Sequence, residues 1–131
     1  MTGTYLLDAN ALIALVVSDH VHHDTVASWS ARVEGVALCP VVEGALVRFL
    51  VRSGESSATA VGILSSFYHS PRCVFWPDEI SYTKVGLGHV TGHRQVTDAY
   101  LAALAASRGC RLATLDGGLA QAIPGETELI R

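Results

Sequence analysis

The stretch from Thr4 to Val17 most constrains what this chain can become. Tyr5-Leu6-Leu7 is a short apolar run that suits a strand buried on both faces. It stops at Asp8, and an apolar segment of helical length, Ala9 to Val17, follows at once. A strand that passes into a helix through a single acid is the opening of a βα unit. Asp8 has an ordinary use there, because an Asp ahead of a helix accepts hydrogen bonds from the free N–H groups of the first turn. It gains weight because the same arrangement recurs later in the chain.

Taken in order, the remaining segments alternate in the same way. Val26, Trp29 and Val33 mark one face of a second helix that Gly35 ends, and Val36-Ala37-Leu38 reads as a second strand. Pro40 suits a first helical turn, and the helix it opens carries Val42, Leu46, Phe49 and Leu50 inward as far as Gly54. Ser56-Ser57 opens a fourth helix with the stripe Ala60, Val61, Leu64 and Phe67/Tyr68, broken at Pro71. Cys73 to Trp76 is a third strand, a short helix is expected from Asp78 to Val85, and Gly86, Gly88 and Gly92 make a loop. The Ala/Leu-rich run from Thr97 or Asp98 to Arg108 is strongly helical, with Gly109 as its C-terminal cap. Arg111 to Ala113 is a fourth strand, Asp116-Gly117 a turn before a short helical turn, and Thr127 to Ile130 a fifth, edge strand. Short strands alternating with helices imply right-handed crossovers and a parallel sheet covered on both faces. The expectation is one α/β domain over residues 1–131, in three layers.

Half of the 131 residues are hydrophobic and only 16% are charged, against about 25% charged in an average domain. Either the core is unusually apolar or part of the surface is an interface for a subunit or partner. The longest apolar run, Ala11 to Val17, falls far short of the ~20 residues that span a bilayer. No basic segment precedes it, so neither a signal peptide nor a membrane anchor is expected. Cys39, Cys73 and Cys110 are odd in number and widely spaced, which suits reduced thiols in a cytoplasmic protein. With a formal net charge of -3, the molecule as a whole offers no field for a polyanion. Any nucleic acid would need a local device to hold its phosphates.

Ligands of such sheets bind at the carboxyl ends of the strands, and helix N-termini lie on the same rim. Asp8 ends the first strand, Glu43 lies in the first turn after the second, Asp98 opens the helix feeding the fourth, and Asp116 lies just beyond the fourth. All four acids therefore fall on one edge. Each has a plain alternative: helix-dipole complementation for Glu43 and Asp98, and a turn residue for Asp116. Yet Glu43 shares a stripe with Leu46, Val47 and Leu50, and Asp98 with Leu101, Ala102 and Ala105. Carboxylates on buried faces need a cation or donors, and no Lys or Arg is placed to serve all four. A hard divalent ion such as Mg²⁺ does so, since it takes oxygen ligands and keeps several waters. Asp78 and Glu79 also follow a strand, but at the start of the expected short helix a dipole role suits them better.

The order Leu6-Leu7-Asp8-Ala9-Asn10, then Glu43, then Thr97-Asp98-Ala99-Tyr100-Leu101-Ala102-Ala103-Leu104-Ala105, then Ala113-Thr114-Leu115-Asp116 closely resembles the PIN-domain family. Within it the chain looks like the VapC-type toxins of bacterial toxin–antitoxin pairs, and His20-Val21-His22-His23 with Trp29 belongs to the likeness. The resemblance spans essentially the whole chain. It implies a sheet order of 3-2-1-4-5, which gathers Asp8, Asp98 and Asp116 with Glu43 adjacent; Asp116 is the least fixed of the four across the family. It also implies an endoribonuclease using one or two Mg²⁺ or Mn²⁺ ions to activate water for in-line attack on phosphorus, with the 3′-oxygen leaving. The implied partners are RNA, a small cognate VapB-type antitoxin and a second copy of the chain.

Around the acids, Asn10 and Thr114 are candidates to orient metal-held waters, or are simply a helix-start amide and a strand-end hydroxyl. Arg48, Arg52 and Arg94 are candidate phosphate contacts, with solvated surface side chains as the alternative. His20, His22 and His23 have poor spacing for a zinc site and read as a polar loop near a substrate entrance. Two other functions compete. A haloacid-dehalogenase-like phosphatase would use Asp8 as nucleophile, but its Asp-x-Asp-x-Thr motif is here Asp8, Asn10 and Leu12, without the general acid. A domain that only binds a partner through its apolar surface is the other.

Overall fold

The structure, a computed structural model, describes residues 3–131; Met1 and Thr2 lie outside it. Five parallel strands, β1 (Thr4–Leu7), β2 (Gly35–Leu38), β3 (Cys73–Phe75), β4 (Arg111–Thr114) and β5 (Thr127–Leu129), form one sheet in the order β3-β2-β1-β4-β5. The expected order is the one observed. β1 sits at the centre, with Leu6 opposite both Ala37 of β2 and Leu112 of β4. Leu6, Leu7, Ala37, Leu38, Leu112 and Ala113 have no exposed surface, as continuous apolar strands require when both faces are covered.

The helices follow from the crossovers. α1 (Ala9–Val16) and α2 (His23–Arg32) join β1 to β2, and α3 (Pro40–Arg52) and α4 (Ser57–Phe67) join β2 to β3. The chain then returns past β1 through α5 (Val96–Ser107) to β4, and α6 (Gly117–Ala122) leads to β5. Because the strand order runs one way from β1 to β3 and the other way from β1 through β4 to β5, right-handed crossovers place α1 to α4 on one face and α5 and α6 on the other. The packing agrees: α1 lies against α2 and α3, α3 against α4, and α5 against β4 and β1. The three-layer α/β/α class is confirmed. Among the described residues no helix is long and apolar enough to cross a membrane.

Local chemistry explains most of the boundaries. Pro40 opens α3 at its first position, where its missing N–H costs nothing. The Ser56 hydroxyl accepts from Thr59 N–H to start α4. Gly109 follows α5 with φ +69°, a left-handed conformation that favours glycine. The Arg72 guanidinium donates to the carbonyls of Ser30 and Val33, satisfying the frayed end of α2. Gly35 does not end α2; Val33 does, and Gly35 is the first residue of β2. A Cβ there would stand 2.9 Å from the Arg72 carbonyl oxygen, so the close approach of the β3 approach strand needs glycine.

Two further expectations are corrected. The helix expected over Asp78 to Val85 is absent; only a 3-10 turn, Tyr82–Lys84, forms there, capped by Ser81. The segment is spent on contacts with α5 instead. Glu79 pairs with Arg108 at 2.7 Å, the same guanidinium covers the Trp76 ring, and the Ile80 carbonyl accepts from the Tyr100 hydroxyl at 3.1 Å. Glu79 is therefore an ion-pair partner rather than a helix-dipole residue. In α4 the inward stripe is Ala60, Ile63, Leu64 and Phe67, while Val61 is 54% exposed. α4 is an outer helix packed chiefly on α3, so its covered face is narrow and shifted by one position.

Candidate functional site

The strand order reverses between β1 and β4, and a crevice opens at the carboxyl ends of the strands on either side of such a reversal. Asp8 follows β1 directly. Its backbone N–H continues the sheet by donating to Ala113 at 3.1 Å, and its carboxylate accepts from Ala11 N–H at 2.8 Å, capping α1. The capping role is therefore real, and it fixes Asp8 at the bottom of the crevice, 4% exposed. Asp116, two residues beyond β4, caps α6 by accepting from the N–H groups of Gly118 and Leu119 at 2.9 and 3.1 Å. Asp98 lies in the first turn of α5, half-buried.

Thr114, the last residue of β4, links two of these acids. Its side chain is fully buried. The hydroxyl donates to the Asp8 carboxylate and accepts from Asp116 N–H at 3.0 Å. Of its two expected roles, it fills the strand-end one, wiring the carboxylates together.

The charges of the three aspartates act on one another. Burial raises the Asp98 carboxyl to about 6, and the nearby charges of Asp8 and then Asp116 push in the same direction. Asp8 is also raised, first by burial; its bonds from Thr114 and Ala11 pull the other way, and Asp116 adds to the rise. The ion pairs among the described residues, Arg108 with Glu79 and Arg111 with Glu128, leave all three without a cationic partner. Among those residues no group of three His, Cys, Asp or Glu side chains is arranged to hold an ion. A hard ion would here keep waters in part of its shell.

Glu43 is on the same rim, in the first turn of α3, but it is turned toward α4. Its Oε2 accepts from the Tyr68 hydroxyl at 2.6 Å. Burial and that carboxylate raise the Tyr68 phenol far above its ordinary value. Tyr68 was legible only as part of an apolar stripe, and nothing local in the sequence points to a partner 25 positions away. Arg48 and Arg52 are exposed on α3. At 1.5 Å per residue, Arg52 lies roughly 13 Å along the helix from Glu43, away from the rim. Arg94 is exposed in the 3-10 turn that leads into α5, and so lies near the rim.

A cleft of about 430 Å³ lies over the reversal, lined by Asp8, Asn10, His20, His22, Leu115 and Asp116. The loop between α1 and α2 thus reaches the acids. A PIN domain model matches residues 5–123. Ribonuclease VapC29 of Mycobacterium tuberculosis is 58% identical over 118 residues, 89% of each chain. The chain belongs to the PIN-domain family, in its VapC group. A second PIN-domain relative, Ribonuclease VapC39 of the same organism, is 36% identical over 127 residues, covering 89% of this chain and 91% of the relative.

Two solved structures share the PIN fold at lower identity. VapC20 of Mycobacterium tuberculosis, described as a sarcin-ricin loop cleaving toxin, superposes with a TM-score of 0.67 at 18% identity over 92% of this chain and 95% of that one. VapBC2 of Rickettsia felis, bound to a DNA fragment from its promoter, gives 0.68 at 15% identity over 98% of this chain and 100% of that one. At these identities they speak for the fold alone.

Proposed function

We propose that this PIN-domain chain is a Mg²⁺- or Mn²⁺-dependent endoribonuclease, the toxin of a toxin–antitoxin pair. The observation that carries this reading is the meeting of Asp8, Asp98 and Asp116, from three separate segments, at the reversal of strand order with no cation to balance them. Like charges crowded around a buried carboxylate, that of Asp8, are costly unless a function needs them. The VapC relatives, ribonucleases by name, supply the reaction class.

The donor set fits a hard ion: the cleft offers the carboxylate oxygens of Asp8 and Asp116 beside the His20 and His22 rings, and no thiol among the described residues lines it. Asp8, Asp98 and Asp116 would hold the ion, with Glu43 completing the set from the α3 side. Bound there, it supplies positive charge beside the scissile phosphate and acidifies water. Asp8 and Asp116 are held rigid for this by their caps and by Thr114. Asn10, exposed beside them in the cleft, is free to orient water or a phosphate oxygen. Arg94 near the rim is the better placed of the three candidate phosphate arginines.

The partners follow from the surface. Val74 and Phe75 on edge strand β3 and Val61 on α4 are 41%, 50% and 54% exposed, exposed apolar side chains available to a VapB-type antitoxin or a second copy of the chain. A basic antitoxin side chain placed in the acid cluster would neutralise the toxin electrostatically. Cys39, Cys73 and Cys110 are free, which suits a cytoplasmic setting.

The deciding experiment incubates the purified chain with total cellular RNA and Mg²⁺ or Mn²⁺, with and without excess chelator. Cleavage that needs the ion and leaves 5′-phosphate ends is the expected result. Robust cleavage in chelator overturns the metal mechanism. Failure to cut RNA under any condition, with a phosphorylated Asp8, would favour the phosphatase instead.

A further inference from the structure

The cleft sets acceptors against donors. Asp8 and Asp116 line it together with the polar side chains of Asn10, His20 and His22. His20 is the most firmly placed of these. Its own N–H donates to the Val17 carbonyl at 3.0 Å, and its carbonyl accepts from His23 N–H at 3.0 Å. His23 is pinned in turn through Nδ1 to the Ala14 carbonyl at 2.9 Å. The ring itself is fixed by His22 N–H, which donates to His20 Nδ1 at 3.0 Å, and it lies against the His22 ring with centroids 5.8 Å apart.

That last hydrogen bond decides the chemistry. A neutral imidazole has one lone pair available on its ring nitrogens and one N–H. With the Nδ1 lone pair taken by His22 N–H, the proton resides on Nε2. Nε2 has no partner among the described residues. A fixed N–H donor with no lone pair to offer cannot ligate a cation, but it matches an anionic oxygen. His20 lines the same cleft as Asp8 and Asp116, whose carboxylates would otherwise repel a phosphodiester.

We propose that His20 is an RNA-binding residue, donating from Nε2 to a non-bridging oxygen of a backbone phosphate and holding the strand across the acid cluster. The proposal rests on the ribonuclease reading above. It assigns the loop between α1 and α2, rather than the exposed α3 arginines, as the phosphate-holding wall of the cleft.

The test uses side-chain geometry. In His20→Asn the amide oxygen replaces Nδ1 and keeps the bond from His22 N–H, while the distal donor is gone. In His20→Gln the amide nitrogen reaches the position of Nε2. Both are made in an Asp98→Asn chain, so that bound RNA stays intact, and binding of a fluorescein-labelled, random-sequence single-stranded RNA is read by anisotropy. A hydrogen bond to a charged group corresponds to about a tenfold change in affinity. His20→Asn should therefore bind roughly tenfold more weakly and His20→Gln close to the parent, with matching thermal midpoints confirming intact folds. Equal binding by all three chains overturns the proposal, as does equal weakening in Asn and Gln variants. Cleavage by the chain with native Asp98 and His20 is measured in parallel. If that chain cuts RNA while His20→Asn binds normally, the ribonuclease reading stands and the His20 assignment alone fails. If it never cuts RNA and no variant alters binding, both fail.

Discussion

The Tyr68 hydroxyl, at the end of α4, donates to Oε2 of Glu43 in the first turn of α3 at 2.6 Å. A carboxylate anchored through one oxygen keeps its other oxygen free and pointed in a set direction. Removing the hydroxyl should let Glu43 wander without emptying the core. Tyr68→Phe is expected to raise the Mg²⁺ concentration for half-maximal RNA cleavage by roughly tenfold, the usual size of such an outer-shell effect. Its thermal midpoint in chelator should move by only a few degrees. A Mg²⁺ titration identical to that of the native chain would show that Glu43 needs no such anchor, or no part in the site.

Asp98 should behave as a group held at a cost. Asp98→Asn is expected to abolish cleavage while leaving the metal-free protein as stable as before or more so. Its gain in thermal midpoint on adding Mg²⁺ should shrink, because that gain measures ion affinity for the folded state. Equal Mg²⁺-induced shifts in both chains would remove Asp98 from the ligand set.

The same residue fixes a pH dependence. In the folded chain its carboxyl is raised to about 6, so between the ordinary unfolded value and 6 the folded state binds more protons. Stability from this group is therefore fully present at low pH and declines as pH rises toward 6, then levels off. Because Asp98 is only half-buried, solvent screening reduces the effect to on the order of 1 kcal/mol. Urea denaturation in chelator from pH 4 to 7 should show native stability falling by that amount relative to Asp98→Asn. Parallel curves for the two chains would contradict the burial of Asp98 and its crowding by Asp8 and Asp116.

Thr114 bears on folding and site together. Thr114→Val keeps the shape but leaves the part-buried Asp116 N–H without its acceptor and the buried Asp8 without its donor, costing about 1–3 kcal/mol. Thr114→Ser should recover most of that loss. Chemical denaturation of the three chains checks the order; a Val variant as stable as the native chain would mean the hydroxyl bridge contributes nothing.

Gly35 tests the fold away from the site. In Gly35→Ala the new methyl would stand 2.9 Å from the Arg72 carbonyl oxygen, the same oxygen that accepts from Val36 N–H at 2.8 Å. Separating β2 from the approach to β3 should cost about 1–3 kcal/mol, read as a lower denaturation midpoint. Cleavage by the folded fraction should be unchanged.

Much of this molecule is written in local sequence. Most strands are short apolar runs, and the long helices show their own periodicity, with side-chain caps at Asp8 and Ser56, so β1 to β5 and α1 to α5 are readable apart from their exact ends. The acids are legible for the same reason: Asp8, Asp98 and Asp116 each stand where a strand ends or a helix begins, and a parallel sheet must bring such positions to one rim. What local pattern could not settle are the matters decided between distant segments. The residues from Asp78 to Val85 have helical composition, yet Arg108 and Tyr100 of α5 draw them into an irregular path. Val61 fits an apolar stripe, yet α4 has only α3 to cover it. Glu43 belongs with the other acids by position, but Tyr68 sets its direction, and His22 N–H determines which nitrogen of His20 carries the proton. Element type follows from propensity and period along the chain; the aim of a side chain follows from partners that only the folded chain brings within hydrogen-bonding reach.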